Sequence, residues 1–395
     1  MKVDGGIGSN LSQVPQSAKE VEAAGYSGAW TAETSHDPFF PLLLAAEHTT
    51  TLEIGTSIAV AFARNPMTLA NIGWDLQSYS KGRFMLGLGS QIKPHIEKRF
   101  SMEWSHPAAR MREMILAMRA IWDTWQNGTK LDFRGDFYTH TLMTPFFTPD
   151  PSEMAPYGPP KIFLAGVGEL MTEVAGEVCD GFLCHGFTTE RYLREVTIPA
   201  LARGRAKAGK TMEGFEIVGP SFVVTGTNEK EMEAAAAGTR QQIAFYGSTP
   251  AYKGVLELHG WDGLQDELNG LSKQGKWVDM GNLITDEDVA HDWREYIVPD
   301  LEEGFSSDVL HVTTAIASAQ LEAAGGPGPL WITPDDAFHW YSALNQARLA
   351  IEERHRFGPS ENINPASLPP ARQSAFLRSQ FYCAVQSMLL EYVLR

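Results

Sequence analysis

The stretch from Leu52 to Ser90, LEIGTSIAVAFARNPMTLANIGWDLQSYSKGRFMLGLGS, constrains the fold more than any other part of the chain. Leu52 to Val60 is an apolar, β-branched run, too short for a helix of ordinary length and bounded by turn residues, so it predicts a strand. Asn65 and Pro66 open a helix, because proline is tolerated in a first turn whose N–H groups lack intrahelical partners anyway. Met67 to Tyr79 carries apolar residues at helical spacing, Lys81 and Gly82 close the helix, and Arg83 to Leu88 predicts a second strand leading into Gly89 and Ser90. Two buried strands joined by a crossover helix form a right-handed βαβ unit with parallel strands. Their carboxyl ends face one side and are rich in small residues, so a ligand is expected there.

The same alternation runs through the first two-thirds of the chain. Strands are predicted at Lys2 to Ile7 and Ser27 to Glu33, with helices at Leu11 to Ala24 and Leu42 to Thr50. After Ser90 the charged and aromatic segment QIKPHIEKRFSMEW reads as a surface loop or lid. Ala108 to Gln126 is a helix, and Asp132 to Phe147 a hairpin or extended insertion. Strands five to seven are Lys161 to Ala165, Gly181 to Leu183 and Phe215 to Thr225, each followed by a helix: Leu170 to Val178, Glu190 to Ala208 and Glu229 to Tyr246. Seven such units in one direction predict a TIM (β/α)8-type barrel rather than an open doubly wound sheet. A dinucleotide fingerprint would need GxGxxG after the first strand, which Gly5, Gly6 and Gly8 do not supply.

At 395 residues the chain has room for a barrel and a smaller second domain. Its 48 acidic against 32 basic residues, net −16, argue against a nucleic-acid partner, which needs a basic footprint. No apolar run approaches the roughly 18 residues of a membrane span, and MKVDGGIGSN lacks the regions of a signal peptide. A cytoplasmic protein without a membrane partner is therefore expected. Cys179, Cys184 and Cys383 cannot all pair and show no CxxC spacing, so no structural metal is expected.

In a parallel barrel the active site is built from residues just after each strand. Those positions are Glu33 to Asp37, Ser57 to Ala61, Gly89 to His95, Gly166 to Glu169 and Cys184 to Gly186. His36 is the candidate acid or base, since imidazole titrates near neutrality; the competing reading has it helping Asp37 and Pro38 to cap the next helix. Glu33 is a weaker base candidate, because a carboxylate at a strand end is as often the partner of an arginine. His185 either lines the pocket or hydrogen-bonds a neighbouring strand end. Gly166, Val167 and Gly168 sit between a strand and a helix, where free amides favour phosphate. Lys93, His95, Lys98 and Arg99 form a basic cluster that reads first as a solvated face. Cys184 reads as a buried structural thiol ahead of a catalytic one.

GYSGAWTAETSHDP, LEIGTSIAVAFARNPMTLA, GRFMLGLGSQIKPHIEKRF and PPKIFLAGVGELMTEVAGEVCDGFLCHGF together resemble the bacterial luciferase-like superfamily, and within it the oxidoreductases dependent on the deazaflavin coenzyme F-420. The resemblance runs from Met1 to about Thr285. It implies a barrel that binds the deazaflavin, or alternatively FMN, at its carboxyl face, and transfers a hydride to or from a small-molecule substrate. It further implies a non-proline cis peptide at Ser57 and Ile58 backing the coenzyme ring, His36 beside the reactive carbon, and Gly166 to Gly168 receiving the coenzyme phosphate. Gly89, Ser90, Cys184 and His185 complete the expected coenzyme site. Some relatives carry an acidic residue where Ser35 stands, and some a glutamate where Gln91 or Ile92 stands, so a sugar-phosphate substrate is not implied. An FMN-dependent monooxygenase and an inactive barrel serving as a scaffold are the alternative functions.

The barrel domain is expected to span residues 1–287 and a mainly helical domain residues 288–395. There DWREYIVPDL and WYSALNQARL, before and beyond a Gly/Pro linker at GGPGP, resemble a small bacterial helical family of unknown function. SDVLHVTT, Ser307 to Thr314, is the one segment that could alternatively supply an eighth strand. Without it the barrel keeps an unprotected edge prone to association, and a homo-oligomer is expected.

Overall fold

The computed structural model describes residues 2–284, 298–322, 330–357 and 363–393. Clustering of contacts divides the chain into two units, Met1–Ile284 and Thr285–Arg395. In the first unit the elements run β1 (Asp4–Gly6), α1 (Val14–Ala23), β2 (Gly28–Thr31), α2 (Phe39–His48), β3 (Glu53–Thr56), β4 (Ala59–Val60), α3 (Pro66–Tyr79) and β5 (Phe84–Gly89). There follow α4 (Pro107–Asn127), a hairpin of β6 (Phe133–Arg134) and β7 (Thr139–His140), β8 (Lys161–Ala165), α5 (Glu169–Val178), β9 (Gly181–Leu183), α6 (Glu190–Tyr192), α7 (Ile198–Lys207) and β10 (Glu216–Val218). The large sheet is parallel throughout, in the order β1-β2-β3-β5-β8-β9-β10, with β4 also on β5. It curls into a half-barrel with helices outside.

Local chemistry explains the central unit. The Asn65 side chain accepts the Thr68 amide and Pro66 occupies the first turn, so α3 starts where the sequence predicts. All six residues of β5 are buried, as befits a strand covered on both faces. Side chains alternate across the sheet. Ile54, Phe84, Leu86, Leu88, Ile162, Leu164 and Phe182 face outward and pack with helical residues such as Leu69, Trp74, Ile115 and Trp122. Inward, Met85, Phe163 and Leu183 form a second cluster with Trp30, Ile58, Ala165 and Val218. Trp30 and Phe163 meet edge to face at 5.8 Å and plug the barrel. Below the plug, Lys2 pairs with Glu53 at 2.7 Å and Glu216 at 3.6 Å, and Lys161 also pairs with Glu216. Lys2 precedes the first strand and Glu216 starts the last, so this pair spans the two edges of the sheet.

Two expectations are corrected and one open alternative is decided. The run from Leu52 to Val60 is two strands, separated by a bulge. Gly55 pairs with Met85 and Ala59 with Leu88, so Thr56, Ser57 and Ile58 oppose only Leu86 and Gly87. Strand seven is only Glu216–Val218, because Pro220 has no N–H to extend the ladder. Ser307 to Thr314 is not a strand; it lies inside the helix Val298–Glu322. Asp308 and Val312, one helical turn apart, are both buried there, so the helical period prevails over the β-branched composition. Among the described residues no eighth parallel strand follows Val218, and β1 and β10 are the edges.

Past β10 the chain forms four helices, α8 (Glu229–Gly247), α9 (Lys253–Leu258), α10 (Asp262–Lys273) and α11 (Trp277–Leu283). The second unit has three described helices, Val298–Glu322, Ala337–His355 and Pro370–Tyr392, around a core that includes Val312, Trp340, Leu344 and Leu389. His339 binds Asp308 at 2.7 Å and His311 binds Asp336 at 3.0 Å, tying the first two of these helices together. GGPGP and the start of DWREYIVPDL lie outside the described residues. No described helix is long and apolar enough to cross a membrane.

Candidate active site at the carboxyl end of the sheet

Above the Trp30–Phe163 plug the inward positions are small: Gly6, Gly87, Gly89 and Ala165. A Cβ placed on Gly8 would meet nothing within 4 Å, and one on Gly6 would meet only the Trp30 carbonyl, at that limit. The result is a bowl whose floor is aromatic and whose walls carry little side chain.

One wall is the bulge. The Ser57–Ile58 peptide is cis. Ser57 is exposed and Ile58 half-buried; the Ser57 amide donates to the Thr31 carbonyl at 2.6 Å. Thr56 repairs the ladder that the extra residue interrupts: its hydroxyl donates to the Gly87 carbonyl at 2.6 Å and accepts the Gly87 amide at 3.0 Å. Only glycine fits opposite, since a Cβ on Gly87 would sit 1.7 Å from the Thr56 carbonyl oxygen. Gly89 lies against the same wall, its Cβ direction 2.8 Å from Ile58 Cγ1, and the half-buried Ser90 hydroxyl donates to the Gln91 carbonyl.

The adjoining wall carries His36, exposed in the loop between β2 and α2. This loop is clamped. Arg64 donates to Glu33 Oε2 at 2.6 Å and to Asp37 Oδ2 at 2.9 Å, while Glu33 Oε2 also accepts the Val60 amide at 2.7 Å. The Glu33 amide donates to the Ile58 carbonyl at 3.1 Å, which joins the histidine loop to the bulge. Asp37 Oδ1 accepts the Phe39 amide at 2.8 Å, so Asp37, not His36, caps α2. Glu33 is thus an ion-pair partner and not a base. Arg99, from the basic segment, donates to the Thr34 carbonyl. That segment contains a helical turn, His95–Arg99, anchored by the fully buried Ile96.

Across the bowl, Gly166 is packed under Met171 and Phe182, and Gly168 is the N-cap of α5 with no side-chain capping bond. Val167 is half-buried, Gly168 exposed, and a Cβ on Gly168 would meet nothing within 4 Å. The first amides of α5 thus lack a side-chain cap beside an exposed glycine, an arrangement that suits an anion. Glu169, in the same turn, is drawn off by Arg203 at 2.6 Å.

Strand β9 separates two candidates. Cys184 is 7% exposed, sits in the outer core with Phe182, and its thiol is pushed up to about 11 by burial. Alternation turns it away from the bowl, so it lines no part of the mouth. Its amide bonds to the Val218 carbonyl at 2.8 Å, and His185 emerges on the side of Leu183. His185 Nδ1 accepts the Phe187 amide at 3.0 Å, and its ring stacks on Tyr252 at 4.5 Å and meets the edge of Tyr246 at 4.5 Å. Burial lowers its pKa.

The structure thus brings His36, Ser57, Ile58, Gly89 and Ser90 to one side of the mouth and Gly166, Val167, Gly168 and His185 to the other. Sequence reasoning missed Thr56 and Arg64. Only ARN immediately after the apolar run hinted at the latter.

A family model described as luciferase-like monooxygenase matches residues 2–293, and a domain of unknown function matches residues 282–393. An uncharacterized protein of Mycobacterium tuberculosis is 60% identical over 287 residues, covering 73% of this chain and 84% of that protein. The F420-dependent glucose-6-phosphate dehydrogenase of Kribbella flavida is 29% identical over 289 residues, covering 71% and 80%. Among solved structures, the coenzyme F420 dependent tetrahydromethanopterin reductase of Methanopyrus kandleri is similar with a TM-score of 0.58 at 17% identity, covering 72% of this chain and 83% of that one. The chain, whose bulged half-barrel is matched along most of its length, belongs to the luciferase-like monooxygenase family.

Proposed function

We propose that the chain is an F420-dependent oxidoreductase acting on a small organic substrate. The observation that carries this reading is the bowl itself: small residues over an aromatic floor, a histidine on one wall and an uncapped helix start on the other. Relatives that bear F420 in their names support the choice of coenzyme. The residues fit the group. Ser57, Ile58, Gly89 and Ser90 would hold the ring, and the amides from Gly166 to the start of α5 would hold a phosphate. When bound, a deazaflavin supplies or accepts the hydride.

The remaining work falls to the protein. His36, on a loop fixed by Arg64 and Arg99, moves the proton that accompanies the hydride. Trp30 and Phe163 exclude water from below, which strengthens electrostatic interactions within the bowl. Fluorescence titration of the full chain with F420 and with FMN tests the proposal. Saturable binding of F420 tighter than FMN is expected; binding of FMN alone, or of neither, overturns it.

A further inference from the structure

His185 occupies an unusual setting for a residue at the rim of the bowl. Its ring is held by Tyr252 and Tyr246, each with its centroid at 4.5 Å, and Tyr252 is 5.7 Å from Phe187. Phe222 extends the wall from Tyr246 at 6.3 Å. Tyr246 lies on α8 and Tyr252 just beyond it, so the helices after β10 bring an aromatic wall to the exit of β9. Phe187, Tyr192, Tyr246 and Tyr252 share a hydrophobic cluster with Val255 and Leu256, which fixes the wall from behind.

The hydrogen bonding sets the tautomer. Nδ1 accepts from the Phe187 amide, so in the neutral ring the proton is on Nε2. Nε2 has no hydrogen-bond partner among the described residues and is not fully buried. Burial disfavours the imidazolium. The rim therefore presents an oriented imidazole N–H donor set among aromatic rings. An anionic group such as a phosphate ester is recognised by arginine or lysine. A neutral donor in an aromatic wall is matched instead by an uncharged acceptor attached to an apolar body.

We propose that His185 is a substrate-recognising residue, whose Nε2–H binds the carbonyl oxygen of an uncharged aromatic or apolar ketone or aldehyde lying against Tyr246, Tyr252 and Phe222. This rests on the reading of the bowl as a coenzyme site, and it moves His185 from the coenzyme to the substrate.

The test is calorimetric titration of the full chain, reconstituted with F420, with acetophenone and separately with glucose 6-phosphate. Acetophenone is expected to bind and glucose 6-phosphate not to. His185→Ala should raise the acetophenone Kd about tenfold, the loss of one hydrogen bond, and His185→Gln, which keeps a donor, should recover most of it. Coenzyme affinity should be the same in all three proteins. An acetophenone Kd unchanged in His185→Ala, equal losses in the Ala and Gln variants, or tighter binding of glucose 6-phosphate would each overturn the proposal. Failure of F420 to bind would instead remove the function proposed above, and acetophenone titration of the coenzyme-free chain would still read the role of His185.

Discussion

Arg64 lies 2.6 Å from Glu33, with side chains only 14% and 7% exposed, and through this contact the segment after β4 holds the histidine loop after β2. The same guanidinium reaches Asp37, so both carboxylates flanking His36 are held by one cation. Removing one member of a buried ion pair leaves the other charge uncompensated, at a cost of about 3–5 kcal/mol. Arg64→Ala should lower the urea midpoint accordingly, and amide exchange should accelerate first between Glu33 and Phe39. Uniform acceleration across the sheet would show that the clamp is not local.

His36 carries no structural duty comparable to that of its neighbours; it is exposed and Asp37 does the capping. His36→Ala should therefore leave the melting temperature and F420 affinity near those of the parent while turnover falls by about 10²–10⁴-fold. Equal losses in affinity and turnover would assign it to binding.

The bulge depends on Thr56 and Gly87 together. Thr56→Val removes the hydroxyl that serves both the Gly87 amide and carbonyl, and should cost about 2–3 kcal/mol. Gly87→Ala should cost at least about 3 kcal/mol, because its Cβ would overlap a backbone oxygen that cannot swing aside. Gly168→Ala, whose Cβ meets open space, is the control and should cost under about 1 kcal/mol, the difference between glycine and alanine at an N-cap.

Glu22 supplies an acid-labile bond. Burial by itself would raise its carboxyl, but the amides of Thr51, Thr50 and Leu52 and the Thr51 hydroxyl lower it to about 2. A carboxyl depressed on folding contributes its stability above the unfolded value near 4.5 and loses it as pH falls toward 2. The gap between parent and Glu22→Gln, reduced by solvent screening of this largely exposed carboxylate, should be about 1 kcal/mol at pH 6 and should close progressively below pH 4.5. A gap independent of pH would disprove this.

The thiols should separate by burial. With its thiol at about 11, Cys184 is about 0.1% thiolate at pH 8. Cys179 is fully buried and raised further by desolvation, whereas Cys383 is only half-buried. Maleimide at pH 8 should label Cys383 quickly and the other two only after unfolding, as peptide mass mapping would show.

The parallel order of the strands was legible because period, punctuation and crossover handedness are local properties. Leu52 to Val60, by contrast, looks like one strand, since a bulge is decided by what lies opposite, here the space at Gly87. Glu33 illustrates the same limit: its role depended on Arg64, thirty-one positions on, and the sequence offered both readings. His185 was visible as a rim residue, but its tautomer and its aromatic wall come from Phe187, Tyr246 and Tyr252, which only the tertiary structure assembles. Ser307 to Thr314 left a strand open as an alternative to the expected helix for a related reason: its β-branched residues are tolerated in a helix once one stripe is buried.

A parallel sheet that closes on itself has a fixed circumference, since widening it would break ladder hydrogen bonds along a whole strand. Here the first and last strands are linked at their lower ends by Lys2 and Glu216, a partly exposed pair. Among the described residues no ladder hydrogen bond joins these two edges, so the seam is an ionic clasp that salt can loosen. Closure of the wall therefore depends on ionic strength in a way that the pairing of its strands does not.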